Sequence, residues 1–303
     1  MTAGLVLRLI AVTVLWASCF PFIVLGLDLA PHLAFAAMRA ALAGACLLIL
    51  GLALRRPIPQ GQRAWGLIAL VGFGATSMGF LGMFHAAEFV SPGLATVIAN
   101  AQPLLGAILA SLFLHEKLRA IGKFGLLVGF TGIIAIAWPG LMTGDVRGYS
   151  LGIAYISVAA TGVAIGNVAI KRLSNDVDAV MAMGAQLLIG AIPLAVLSMT
   201  TEDLASFTWS SEFLGILLIL SLFGSALVFW MWFEALKKID LNRANAFTFL
   251  VPLFGLAIGA LFFDERLSWG QAIGAMLVLG GIALVQRNGV SNTIQNSGIR
   301  SSN

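Results

Sequence analysis

Residues 95–133 read ATVIANAQPLLGAILASLFLHEKLRAIGKFGLLVGFTGI, and residues 244–282 read ANAFTFLVPLFGLAIGALFFDERLSWGQAIGAMLVLGGI. The second stretch is the first displaced by 149 positions (244 less 95). Pro103 falls on Pro252, Gly106 on Gly255, Leu112 and Phe113 on Leu261 and Phe262, and Glu116 on Glu265. Leu118 falls on Leu267, Gly125 on Gly274, and Gly132 with Ile133 on Gly281 with Ile282. Upstream, the same displacement carries Phe84 onto Phe233 and Ala86 onto Ala235. A shared preference for apolar residues does not produce an ungapped register of prolines, glycines and a glutamate. The chain contains an internal duplication.

Of its 303 residues, 60% are hydrophobic and only 10% charged, with a mean hydropathy of +1.00. A soluble domain carries about 25% charged residues, so this chain cannot coat a water-facing globule and reads as an integral membrane protein. Its net charge of +4 needs no nucleic-acid partner, because the placement of the cations explains it. Cys19 and Cys46 sit in apolar runs with no second ligand-type residue nearby, so neither a disulfide, a metal site nor another cofactor is expected.

About 20 apolar residues cross a hydrocarbon core as a helix. Cutting the sequence at its charged and Pro/Gly-rich breaks leaves ten such runs: 5–26, 33–54, 64–87, 93–114, 121–138, 150–170, 179–199, 213–236, 244–263 and 269–285. The first holds Trp16-Ala17-Ser18-Cys19, which faintly resembles a lipoprotein cleavage site, yet its apolar character continues to Gly26, so it reads as a span. Backbone groups in lipid must be satisfied within a segment, so all ten read as helices.

With ten spans, Arg8, Arg55, Arg56, Arg63, Lys117, Arg119, Lys123, Lys171, Arg172, Lys237, Lys238 and Arg243 fall on one side together with both termini. The other side holds only Arg147 and Arg266, and Arg39 lies inside a span. The positive-inside rule makes both termini cytoplasmic. Five spans per repeat is odd, so the second copy is inverted. The basic step His115-Glu116-Lys117-Leu118-Arg119 accordingly has a less basic echo in Asp264-Glu265-Arg266-Leu267-Ser268 on the other side. The expected fold is all-α and integral to the membrane: ten transmembrane helices as two inverted five-helix repeats, residues 1–140 and 141–287, with a disordered cytoplasmic tail at 288–303. Inverted repeats place a transport site where the halves meet, near the membrane midplane.

Leu15-Trp16-Ala17-Ser18 in the first span, Arg39 in the second, and a Pro-x-x-Gly span ending in Glu-Lys/Arg-Leu in each half (Pro103 to Leu118, Pro252 to Leu267) carry a family resemblance. From about Leu9 to Val285 the chain resembles the drug/metabolite transporter superfamily, EamA type. Within it, the aromatic-rich and carboxylate-poor interior is similar to YddG-type exporters of aromatic amino acids. The resemblance implies alternating-access export of amino acids and their analogues across a bacterial inner membrane.

Polar groups inside spans tend to face a cavity or a partner helix. Asn100 and Gln102 flank Pro103, while Asn245 and Thr248 precede Pro252. Each proline is expected to kink its helix and free the carbonyl four residues earlier, that of Ala99 or Thr248, offering polar contacts to a zwitterion. Against this stands plain helix packing with amide bonds to neighbours. Trp16, Phe20, Met78, Phe80, Met83, Trp230 and Trp232 offer surface to an apolar side chain, though each also suits a core or a lipid face. Asn167, Gln186 and His85 are secondary candidates, and Arg39 reads as a structural charge bonded to a neighbouring helix. Trp65, Trp209 and Trp269 lie near span ends and read as interfacial anchors.

The carboxylates cluster at span ends, so gradient-driven export is the reading, with His85, Glu88 and Glu234 as the coupling groups of a proton-driven alternative; two five-helix halves in one chain make a working monomer the default. The competing reading is efflux of lipophilic cations or drugs, which calls for an acid in the cavity. An intramembrane enzyme would need paired Asp-rich motifs, His-Glu-x-x-His or a facing aspartyl pair, and the sequence contains none of them.

Overall fold

The computed structural model describes residues 1–86, 89, 99–143, 149–262 and 268–287, except for the side chains of 20, 139–143, 149 and 259–262. The proposed tail at 288–303, Glu88, Asp145, Arg147 and residues 264–267 lie outside the described residues.

Ten helical spans follow one another. They are α1 (Ala3–Leu27), α2 (His32–Ala53), α3 (Gln62–Ala86), α4 (Gln102–Phe113) and α5 (Ala120–Thr143) in the first half. The second half has α6 (Tyr149–Leu173), α7 (Ala179–Thr201), α8 (Ser211–Leu236), α9 in two pieces (Leu241–Phe247 and Leu250–Phe262) and α10 (Trp269–Gln286). Among the described residues, nine are long and apolar enough to cross a bilayer, and α4 is a shorter apolar helix.

Three helices are capped by a residue of their own local sequence. Asp178 accepts from the amides of Val180 and Met181, Ser210 from that of Phe213, and Ser268 with Gln271 forms a capping box on α10. The helices α2 and α9 begin without a side-chain cap of their own, and a distant carboxylate serves each. Glu202, after α7, accepts from Leu33 N at 2.7 Å and Ala34 N at 2.9 Å. Glu116, after α4, accepts from Leu241 N at 2.9 Å and Asn242 N at 3.2 Å. Orphan amides and the positive end of the helix dipole favour a carboxylate at both places.

The two halves meet through equivalent helices, α2 against α7 and α5 against α10. Glycine makes the second crossing. A Cβ on Gly125 would lie 2.8 Å from the Gly281 carbonyl oxygen, and one on Gly132 would lie 2.6 Å from that of Gly274. Since Gly125 is the counterpart of Gly274 and Gly132 that of Gly281, the two contacts are images of each other, as a pseudo-two-fold axis requires.

One further feature is matched. Inside α3 the backbone runs as a π-helix over Gly72–Met78, and inside α8 over Leu222–Leu227. With the 149-residue offset, Gly72 corresponds to Ser221, so the two π segments coincide to within a residue. The α3 segment packs closely on two neighbours: Gly74 faces Gly162 of α6, and the Gly190 carbonyl of α7 accepts from the Ser77 hydroxyl at 2.8 Å.

Candidate functional site

Five helices bring a group of indole and amide side chains together. Trp232 of α8 donates its Nε1–H to Asn167 Oδ1 of α6 at 2.8 Å, and Asn167 Nδ2 lies 3.4 Å from Asn245 Oδ1 of α9. Trp16 of α1 packs on the Trp232 ring, with centroids 5.4 Å apart. Gln102, at the start of described α4, completes the group. A Cβ on Gly106 would stand 2.5 Å from Asn245 Nδ2 and 3.4 Å from Gln102 Nε2, so the glycine lets both nitrogens pack closely against α4.

Asn245 is fully buried, Gln102 is 5% exposed, and neither Asn245 Nδ2 nor Gln102 Nε2 has a hydrogen-bond partner. Leaving a buried donor unmet costs about 1–3 kcal/mol. Two buried N–H₂ groups without a partner among the described residues, with an aromatic pair adjoining, are donors that an acceptor-bearing molecule with an apolar side could meet. At 1.5 Å per residue, Trp232 and Asn167 lie roughly 6–9 Å from the ends of their helices, so the cluster sits nearer one end of the bundle than its middle. Both halves contribute: Trp16 and Gln102 from the first, Asn167, Trp232 and Asn245 from the second.

Pro252 acts differently from the sequence expectation: it does not kink a continuous helix around a free carbonyl. In the first half Asn100 and Ala101 form a turn before α4, and Pro103 occupies the first turn of that helix, where an amide hydrogen has no partner to lose. In the second half α9 breaks at Thr248 and Phe249. The Thr248 carbonyl is taken up by Val251 N at 3.0 Å, and the Thr248 hydroxyl donates to the Asn245 carbonyl at 2.8 Å. The turns themselves fall at matched places in the halves. What they offer is side-chain amides, with the Thr248 backbone already used.

Arg39 is buried at a helix junction. Its Nε donates to Ser225 Oγ at 2.8 Å, Nη2 donates to the Gly224 carbonyl at 3.0 Å, and its guanidinium carbon lies 4.9 Å from the Phe80 ring centre. Gly224 and Ser225 belong to the π segment of α8, whose wide turn presents a carbonyl to it. The other half has a counterpart: Thr76, in the π segment of α3, donates to Gln186 Oε1 at 2.8 Å. Arg39 is the eighth residue of α2 and Gln186 the eighth of α7. Each π segment is thus held by a polar side chain from the opposite half.

His85 lies at the other end of the bundle. It approaches His32 at 3.3 Å and packs on Tyr155, while His32 Nδ1 lies 3.5 Å from Glu202. A cavity of about 370 Å³ opens there, lined by Asp28, His32 and Phe84 among others. His32 and Glu202 there are already engaged with each other, and Glu202 also with backbone amides, whereas the amide cluster holds donors without a partner among the described residues, so the amide cluster is the better candidate.

Of the remaining candidates, Met78 packs at Gly162 of α6 and Met83 is half-buried against Ala86, Ile156 and Ala159. Trp230 faces Arg8 rather than the amide chain, and Asn100 is half-buried at the turn before α4. The side chain of Phe20 lies outside the described residues. Trp232 was legible only as one of seven aromatic and methionine candidates. Gly106 and Arg8 went unread as site residues: glycines are plentiful here, and Arg8 sorts with the flanking cations by sign alone.

Comparison with known proteins gives the same architecture. A solved crystal structure superposes with a TM-score of 0.80 over 94% of this chain and 99% of that one at 20% identity, which bears on the fold alone. Among curated relatives, a WAT1-related chloroplastic protein of Arabidopsis thaliana is 34% identical over 82% of this chain and 61% of its own length. An uncharacterized transporter of Synechocystis is 32% identical over 83% of this chain and 80% of its own. A probable amino-acid metabolite efflux pump of Escherichia coli is 28% identical over 89% of this chain and 91% of its own. The sequence profile of the EamA-like transporter family matches twice, at residues 3–138 and 150–287. One match per half, over the same five helices that the duplication delimits, makes this multi-pass membrane protein a member of the EamA-like transporter family.

Proposed function

We propose that this transporter exports amino acids with aromatic or other apolar side chains, and close analogues, through the space around Gln102, Asn167, Trp232 and Asn245. The two unspent amide donors of Gln102 and Asn245 carry this reading. A carboxylate supplies the acceptors they lack, and the Trp16–Trp232 pair supplies apolar surface beside it. Trp16, Phe20, Met78, Met83, His85, Asn100, Trp230 and Thr248 stay as candidates for cavity lining. The relatives described as probable amino-acid metabolite efflux pumps in Escherichia coli and Salmonella typhimurium support the substrate class. Alternating access would expose the site to each side in turn, in a bacterial inner membrane with both termini in the cytoplasm. One chain holds both halves, which favours a monomer.

The test is uptake of labelled phenylalanine and leucine into liposomes holding the purified protein, with and without an imposed proton gradient. Uptake without a gradient is the expected result. Asn245→Leu, which removes the donor, should cut it by about tenfold or more while leaving the protein folded by circular dichroism. Absence of uptake under both conditions would overturn the substrate assignment.

A further inference from the structure

Arg8 differs from the other cations at its end of the bundle. Lys171 donates to the carbonyls of Leu236 and Ile239, Arg172 to that of Phe113, Lys237 to Glu234, and Arg243 to Gln286. Arg55, Arg56, Arg63, Lys123 and Lys238 are exposed. Arg8 is only half-exposed, and its Nη1 is the one cationic nitrogen among the described residues that is shut off from solvent without a hydrogen-bond partner. Its guanidinium carbon lies 5.9 Å from the centre of the Trp230 ring.

A flanking arginine in a membrane helix normally extends to the headgroups, laying its apolar stem along the helix. Arg8 has instead turned inward. Leu7 and Val14, on the lipid face of α1, are 71% and 37% exposed, whereas Leu5, Leu9 and Val12 are buried. Arg8 lies on α1, the helix whose Trp16 packs on Trp232 of α8. The guanidinium and the amide cluster therefore lie along the same pair of helices, with Trp230 turned to Arg8 and Trp232, two residues on and on another face of α8, turned to Asn167. A partly buried cation with no anion is costly unless something completes it, and nothing in the described protein does.

We propose that Arg8 is a carboxylate-recognition residue on the way to the candidate site, pairing with the anionic end of a substrate, with Trp230 against its apolar part, before that end passes to Gln102 and Asn245. This deepens the amino-acid reading and rests on it for the identity of the carboxylate. It adds a requirement: the ligand must be an acid, and a neutral or cationic molecule of the same shape binds poorly.

The probe is phenylacetate, with 2-phenylethanol as its uncharged counterpart, added to the detergent-purified full chain while tryptophan fluorescence and melting temperature are followed. Saturable binding of phenylacetate and not of 2-phenylethanol is expected. Arg8→Gln should weaken it by at least about tenfold, Arg8→Lys should fall between, since it keeps the charge without the planar fork, and Trp230→Phe should lose much of the fluorescence change. Equal phenylacetate affinity in the wild type and Arg8→Gln, or no saturable binding by the wild type, would overturn the assignment. If phenylacetate binds through Arg8 but the liposomes carry no amino acid, Arg8 stands and the substrate reading falls.

Discussion

At the scale of residues, the molecule places its polar groups at the joints between halves. Arg39 satisfies the Gly224 carbonyl and the Ser225 hydroxyl at once. Arg39→Leu leaves both without their partner and should lower stability by about 2 kcal/mol, read as a lower melting temperature of the purified protein. Arg39→Lys should recover less than half of that loss, because an ammonium cannot span the two acceptors. The sequence marked Arg39, Gln102, Asn167 and Asn245 as costly in a membrane, since cost follows from residue type and position in an apolar run. Which of them meet was not legible: the Trp232–Asn167–Asn245 chain joins residues 65 and 78 positions apart, and only the packing of α6 against α8 and α9 sets that pairing. Thr248 shows the opposite failure, its carbonyl being reclaimed by a local turn that proline arithmetic does not anticipate.

At the scale of elements, the α5/α10 crossing makes a sharp distinction between two adjacent glycines. A Cβ on Gly281 would lie 2.6 Å from both the Gly125 carbonyl oxygen and the Gly129 nitrogen, which are backbone atoms with little room to yield, whereas one on Gly280 meets nothing within 4 Å. Gly281→Ala should therefore destabilise the protein by about 1–3 kcal/mol. Gly280→Ala should be neutral or slightly stabilising, as alanine is the better helix former. Equal melting temperatures for the two variants would contradict the close crossing. Helix existence and order followed from apolar run length alone, but the π segments left no such trace, because a widened turn is as apolar as the turns around it.

At the scale of the whole molecule, Glu116 ties the first half to the second by capping α9. Burial pushes its carboxyl above the usual range, and Asp240 adds to the rise; the amides of Leu241 and Asn242 and the charge of Lys171 pull the other way. The folded state therefore holds this proton more tightly than the unfolded chain does. The group's contribution is largest below its ordinary value and fades as pH climbs through the folded one. The melting temperature of the wild type relative to Glu116→Gln should accordingly fall between about pH 4 and about pH 8, and a difference that rises with pH would contradict that sign. The duplication was the most legible feature of all, since a fixed offset needs no structure to detect, and it implied both the helix count and the inversion. The paired π segments reach further back. A π turn holds one residue more than an α turn, and both copies carry that extra residue at the same point of their third helix. The simplest history has it gained once, in a five-helix ancestor that preceded the gene duplication and that had to insert into the membrane in both orientations to assemble with itself.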